Sequence, residues 1–372
     1  MIEITHYQIK RILRSLFPTL ILFAFLTPLG VLNAFGDEPQ HLRQSIRALG
    51  MGNAFVAVAN DENALFYNPA GLHAIQQHII EILTLNATVN QNLLDLGKED
   101  SGDQGSAIGK LVGKKLYSEA NLGLMSISGP GWGYSIFGNL VLDAKIRNPS
   151  VPYLQLQSYL QYGAIGGMAF AFLDETLVAG VNYKVVSRNG IGKDVHIVDF
   201  LDDNFSSDLE DEFSTKSGAS PDIGVTYKLD EYYAWEPKAA LVVRNIGGMD
   251  FGSSGEIPMT IDVGFATESE LAGLDIILAL DLIDLTHEAT AYKSFKRNLK
   301  MGFEIGMLKR SNSHHTLSFR AGRNGSYSTW GFSFNIPYFP MKLDYANWSE
   351  EVGNVAGDVE DERQSLQISF NF

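Results

Sequence analysis

The residues able to do chemistry in this chain lie apart, where catalysis would need them together. Past the first few residues the histidines are His41, His73, His78, His196, His287, His314 and His315. No two have the His-x-x-x-His spacing that puts both rings on one helix face, and no Gly-x-Ser-x-Gly turn offers a strained nucleophile. The sequence has no cysteine. That excludes a thiol nucleophile, a thiolate zinc site, an iron–sulfur cluster, a disulfide framework and a lipidated cysteine anchor. His314-His315 falls in an expected short turn and reads as solvated. Asp199, Asp202, Asp203, Asp208, Glu210, Asp211 and Glu212 form an oxygen-rich cluster whose spacing matches no EF-hand; a solvated loop is the better reading, and calcium stays open. No enzyme, cofactor or metal centre is expected. The 28 Lys and Arg against 43 Asp and Glu, a net charge of −15, also lack the positive field that a nucleic-acid partner demands.

The chemistry that remains is ionic, and it sits on segments of alternating character. Met301, Phe303, Ile305 and Met307 alternate with Lys300, Gly302, Glu304 and Gly306; Ile223, Val225, Tyr227 and Leu229 alternate with Asp222, Gly224, Thr226 and Lys228. Successive side chains of a strand point to opposite faces, so each such segment has one apolar and one polar face. The polar faces carry Lys184, Asp222, Lys238, Arg244, Asp262, Asp275, Glu304, Arg320, Lys342 and Asp344. Lys184, Arg244 and Arg320, with Arg47 nearer the start, are candidates to hold an anionic headgroup. The competing reading for each is an ion pair with Asp222, Asp262, Asp275 or Glu304.

Alternation alone fits a soluble sandwich with apolar faces inward as well as a membrane barrel with them outward. Loop lengths separate the two. Strands are expected near 78–89, 120–128, 132–145, 158–172, 175–187, 221–229, 237–246, 258–267, 273–285, 297–308, 314–322, 328–335, 340–347 and 364–372. Long connections at 90–119, 146–157, 188–220 and 348–363 alternate with short ones at Gly129-Pro130-Gly131, Asp174, Asp230–Glu236, Lys309–Ser313 and Ile336–Phe339. Long loops on one rim and tight turns on the other are the asymmetry of an outer-membrane barrel. The last strand alternates Leu366, Ile368, Phe370 and Phe372 with Ser365, Gln367, Ser369 and Asn371, and Phe370 with Phe372 gives the aromatic ending that barrel-assembly machinery recognises. Tyr183, Tyr227, Trp330, Tyr345 and Trp348 near strand ends suit interfacial girdles. The expected fold class is all-β, a transmembrane antiparallel β-barrel of about fourteen strands.

Ahead of the strands, Lys10, Arg11 and Arg14 precede an apolar run from Leu16 to Leu32 and then Ala34-Phe35-Gly36. This is the layout of a secretory signal over residues 1–36, which directs the chain to the outer membrane of a diderm bacterium. Residues 37–77 do not read as strand, and the barrel is expected over 78–372. Within 37–77, Asn60-Asp61-Glu62 opens a short helix to Tyr67, Asn68-Pro69 ends it, and Gly71 permits a tight turn.

The runs Arg47-Ala48-Leu49-Gly50-Met51-Gly52, Ala57-Val58-Ala59-Asn60-Asp61 and Tyr67-Asn68-Pro69-Ala70-Gly71-Leu72 resemble the N-terminal hatch of the FadL-like outer-membrane proteins, in detail the PorV/PorQ branch. Leu343-Asp344-Tyr345-Ala346, followed by Gln364 to Phe372, is similar to the same branch. The resemblance implies that residues 37–77 fold into the lumen as a hatch, with Arg47, Gly50, Gly52, Asp61, Asn68, Pro69, Ala70 and Gly71 as its motif. It implies uptake of hydrophobic, fatty-acid-like molecules past a hatch that shifts. The PorV-type members imply instead a shuttle or anchor whose partners are secretion-system proteins. A continuous apolar path from loops to hatch favours the first reading; a filled or charged lumen favours the second. Outer-membrane lipid and the assembly machinery are partners in either.

Overall fold

The computed structural model describes residues 40–98, 112–147, 153–196, 212–229, 235–289, 294–311, 314–353 and 355–372. The expected signal and the acidic cluster from Asp199 to Asp211 lie outside them. The barrel strands are β1 (Ile79–Asn90), β2 (Lys115–Gly129), β3 (Trp132–Arg147), β4 (Tyr153–Phe172), β5 (Leu177–His196), β6 (Ser214–Lys228) and β7 (Glu236–Arg244). They continue as β10 (Thr260–Leu271), β11 (Leu274–Leu282), β12 (Leu299–Ser311), β13 (His314–Asn324), β14 (Tyr327–Asn335), β15 (Met341–Glu351) and β16 (Glu360–Asn371). These fourteen pair in sequence order, and β1 closes on β16 in an antiparallel barrel without a free edge. A small hairpin, β8 (Met249–Asp250) with β9 (Glu256–Ile257), interrupts the β7–β10 connection. Among the described residues no helix is long and apolar enough to cross a membrane.

Every expected strand is present, and the short turns fall on one rim. The other rim differs from expectation: β5 runs to His196 and β6 starts at Ser214, through sequence read as loop. There the outward face turns polar. Ser217 bonds Ser187 at 3.2 Å and Asn189 bonds Thr215 at 2.8 Å, both exposed. Backbone pairing continues where the alternation of hydrophobicity stops, so the periodic signal ends before the strand does.

The faces are oriented as a membrane barrel requires. Leu140 and Phe170 on the outer surface are 52% and 55% exposed, whereas Lys300 and Glu304 are 6% and 3% exposed. Leu85, Leu122, Leu160, Val185, Leu278, Phe319 and Leu366 share the outer belt. In water such a belt would drive association; against acyl chains it is at home. Tyr183 and Trp330 are exposed on that belt, and Tyr345 stacks on Phe332. Trp348 does not. It faces inward, buried with Ile46, Leu49 and Ala346, because Ala346 and Trp348 continue the inward parity of Asp344.

The interior is occupied. Residues 40–75 fold inside the wall as a helix at Ile46–Gly50, a helix at Ala64–Tyr67 and a 3-10 turn at Pro69–Ala74. Ser45 caps the first of these, with Ala48 N donating to its hydroxyl at 3.4 Å. The second begins two residues later than the sequence signals. Asp61 is spent beforehand, taking Ala64 N on its carbonyl at 2.9 Å and Asn63 N on its side chain at 2.9 Å. Asn68 then turns to an extended conformation (φ −154°, ψ 106°), and its side chain accepts from Ala70 N at 3.0 Å to open the next turn. Gly71 is there for closeness: a Cβ would overlap the Ala59 carbonyl.

Candidate functional site

The inner segment meets two unlike walls. On one side, β3 to β11 present inward Phe137, Ile165, Val178, Val186, Val242, Ala266 and Ile277, which join Met51, Phe55, Val56, Val58, Leu65 and Leu72 in one buried apolar cluster. Polar faces were expected to line the interior; the apolar inward residues occur where this segment packs, since ordering it requires dry contact area. On the other side, β12 to β16 and β1 present Lys300, Glu304, Arg320, Asp344, Arg363, Gln367, Asn86 and Thr88, all buried.

Arg47 ties the segment to the polar wall. Its Nε and Nη2 form a fork on Glu304 at 2.9 and 2.7 Å, and its Nη1 donates to Asp61 at 2.8 Å and Asn60 at 2.7 Å. Arg320 donates to the same Glu304 at 2.5 Å and to Ser333 at 2.6 Å, and Lys342 pairs with Asp344 at 3.0 Å. Burial by itself would lower the Arg47 pKa, but Glu304 and then Asp61 outweigh it and hold it raised. Burial likewise pushes Asp61 upward, and the Arg47 guanidinium overcomes this to hold the carboxyl below its ordinary value. Glu62, one residue on, has no such partner. Burial, then the charges of Asp61 and Glu81, push its carboxyl up to about 8.

Asn68-Pro69-Ala70 meets the opposite wall by shape. Asn68 Nδ2 donates to the Val56 carbonyl at 2.9 Å and to Thr226 Oγ1 at 3.1 Å, so the amide fastens the segment to itself and to β6. Gly180 on β5 and Gly224 on β6 lie under Pro69 and Asn68, where a Cβ would collide with them. Near the β11 end, Phe55 N and Val56 N donate to Asp281 at 2.6 and 2.7 Å. Gly50, Met51 and Gly52 cross the inward glycines of β12 to β14: a Cβ on Gly302 would fall 2.5 Å from the Met51 carbonyl, and one on Gly322 2.5 Å from Gly52 N. Gly52 itself has φ +67°, a conformation that disfavours any side chain.

Two cavities remain beside the segment. The larger, about 80 Å³, lies toward the long-loop rim; Leu42, Phe66, Ile165 and Ile257 line it, as do Lys184, Arg244, Lys300 and Asn324. The smaller, about 20 Å³, lies toward the short-turn rim between Arg47, Glu62, Glu304, Arg320, Ser318 and Lys342.

The sequence-predicted residues therefore divide. Arg47, Asp61, Gly50, Gly52, Asn68, Pro69, Ala70 and Gly71 are all brought into contact with the wall or with one another. Lys184 and Arg244 line the larger cavity, but each is paired on the wall, with Asp222 at 2.5 Å and with Asp262. Arg320 lies beyond the segment, on the smaller cavity. Phe370 is on the closing strand and Phe372 directly follows it, where Phe372 N donates to the Ile80 carbonyl at 2.8 Å. His315 is not solvated; its Nε2 is 2.6 Å from Asp275. Among the described residues no cluster of three metal-ligating side chains occurs. Sequence reasoning missed the inward glycines Gly180, Gly224, Gly302 and Gly322, and Asp281. A glycine at an inward-parity position of a strand, where packing disfavours it, was the available signal.

No family model and no curated protein matches the sequence. Among solved structures, the chain is similar to the Ralstonia pickettii toluene transporter TbuX (TM-score 0.46, 13% identity, covering 92% of this chain and 98% of that one). It is also similar to a Pseudomonas aeruginosa FadL homologue (TM-score 0.45, 11% identity, 90% and 98% covered) and to the Pseudomonas putida toluene transporter TodX (TM-score 0.36, 10% identity, 93% and 99% covered). Likenesses this distant decide nothing about activity, which must come from the chain's own geometry.

Proposed function

We propose that the chain is an outer-membrane barrel of a diderm bacterium, exported by its N-terminal signal, that takes up hydrophobic small molecules past a movable hatch formed by residues 40–75. The observation that supports this is the pairing of an exposed apolar belt with an inner segment packed against inward-facing residues, beside a cavity lined by both apolar and cationic side chains. A cavity of about 80 Å³ is too small for a fatty-acid-like ligand, since small-molecule sites usually enclose about 300 Å³ or more. Passage therefore requires the segment to move. Lys184 and Arg244 are placed to receive an anionic end once it does, at the cost of their pairs with Asp222 and Asp262.

A second reading has its own support. The charged lining of the larger cavity and the filled lumen are what a PorV-type anchor or shuttle would have, its long-loop rim contacting secretion-system proteins. Lipid and small-molecule mass spectrometry on the detergent-extracted protein separates the two. A reproducible bound fatty acid or hydrocarbon, together with faster uptake in cells carrying the gene, supports transport. An empty barrel that co-purifies stoichiometrically with an exported protein overturns it in favour of the anchor.

A further inference from the structure

Both cavities reach the β12–β14 wall, where a single line of contact separates them. On β12 the inward residues run Lys300, Gly302, Glu304: Lys300 belongs to the larger cavity, Glu304 to the smaller, and Gly302 lies under Met51 between them. On β13 the order repeats, with Asn324 on the larger cavity, Gly322 under Gly52, and Arg320 on the smaller. On β14, Thr329 donates to the Gly50 carbonyl at 3.0 Å and Gly331 packs on Gly50, with Ser333 beyond. Four residues of strand span roughly 13 Å, so the partition is one residue thick where Met51 and Gly52 cross glycine.

Both compartments are polar enough to be wet. A buried water needs about 10–15 Å³ and two to four polar partners. The smaller cavity, at about 20 Å³ among Arg47, Glu62, Glu304 and Arg320, meets both conditions. In the larger, the buried hydroxyl of Thr260 has no protein partner among the described residues, nor has that of Ser326. A hydrocarbon drawn along this wall would strip water from charged groups without replacing it, which is costly. An ion or a zwitterion meets alternating basic and acidic groups instead.

We propose that Gly50-Met51-Gly52, resting on Gly302, Gly322 and Gly331, is the gate of a path for water, inorganic ions and small zwitterions along the β12–β14 wall. The path runs from the larger cavity, which a hydrophobic ligand would share, to the short-turn rim, and parts from any hydrophobic route at the β12–β14 wall. It does not depend on the uptake reading: an anchor protein with this wall would conduct in the same way, and a hydrophobic transporter without this gate would not.

Single-channel recording of the full chain in planar lipid bilayers, in chloride-free potassium nitrate alone, tests it. In Gly302→Ala the added methyl meets only atoms of the inner segment, Met51 and Ala54, so it lifts the segment and leaves the wall intact. A several-fold rise in mean current over wild type is expected, with the heat-modifiable mobility of a folded barrel. Met51→Ala opens the same line by removal and is expected to act in the same direction should Gly302→Ala fail to fold. Because the chain has no cysteine, Ser318→Cys placed in the conducting background gives one thiol on the smaller cavity. Silver ions should block its current and leave that of Ser135→Cys, on the inward face of β3, unaffected. Wild-type current in a folded Gly302→Ala and a folded Met51→Ala, or equal silver block at Ser135→Cys, overturns the proposal.

Discussion

The wall from β3 to β11 and the wall from β12 to β16 hold the same inner segment in different proportions of packing and charge. The first uses mainly apolar contact and glycine clearance, with Pro69 seated over Gly180, and one carboxylate, Asp281, at its β11 edge. The second adds charge to glycine clearance at Gly302 and Gly322, with Arg47 forked on Glu304 and bridged to Asp61. Dry packing is insensitive to pH and is lost only when shape changes. A buried ion network gives little net stability while intact but is severely unbalanced by the loss of one member. The segment therefore has a permanent seat on one side and a conditional one on the other, and motion should begin at the conditional side.

The strongest way to break this comparison is Arg47→Ala. It strands Glu304 against Arg320 alone and leaves Asp61 buried without its cation, so the inner segment should lose about 3–5 kcal/mol. Limited proteolysis in detergent would register this as rapid cleavage within residues 40–75 of a barrel that stays heat-modifiable. Native-like protection would show that the ionic seat carries no weight. Gly180→Ala attacks the steric seat and should cost about 1–3 kcal/mol by overpacking against Pro69 and Ala70. Its loss in thermal melts should be the same at acidic and neutral pH, and a pH-dependent loss would contradict the division. Asn68→Ala, which gives up the bonds to Val56, Thr226 and Ala70, is expected to cost about 1–2 kcal/mol. Leakage of small solutes from vesicles should rise with it, and unchanged leakage would count against a hatch anchored there.

Glu62 sharpens the comparison with the opposite sign. Its carboxyl ionises at about 8 in the folded chain against 4.5 ordinarily. Between those values the unfolded chain has released a proton that the folded chain still holds, so stability falls as pH rises through this window. Glu62→Gln should remove that slope, leaving a protein equal to wild type near pH 4.5 and more stable near pH 8. Parallel pH profiles for the two proteins in thermal unfolding would show that the group is solvated.

Much of the barrel was legible because its signals are local. Met301 to Met307 alternates within itself, and the tight Gly129-Pro130-Gly131 turn is visible without knowing its neighbours. The extended half of β5 was not legible, since Ser187 and Asn189 face outward above the apolar belt and erase the period that marks a strand. Trp348 was misplaced for a related reason: near a strand end the parity is easily lost, and an aromatic residue suits a girdle as well as it suits a packed interior. The motif residues of the inner segment could be named from the sequence, but not what they touch.

The sequence by itself determined that lipid-compatible and water-compatible side chains would part to opposite faces, because strand geometry sends neighbours in opposite directions whatever surrounds them. Only the closed barrel decided that Arg47 would find Glu304, 257 positions away, and that Gly180 and Gly302 would be the places where the inner chain comes closest. Those pairings depend on the path of one segment through an enclosed space. That path is set by the summed packing of every strand around it, and no short stretch of sequence contains it.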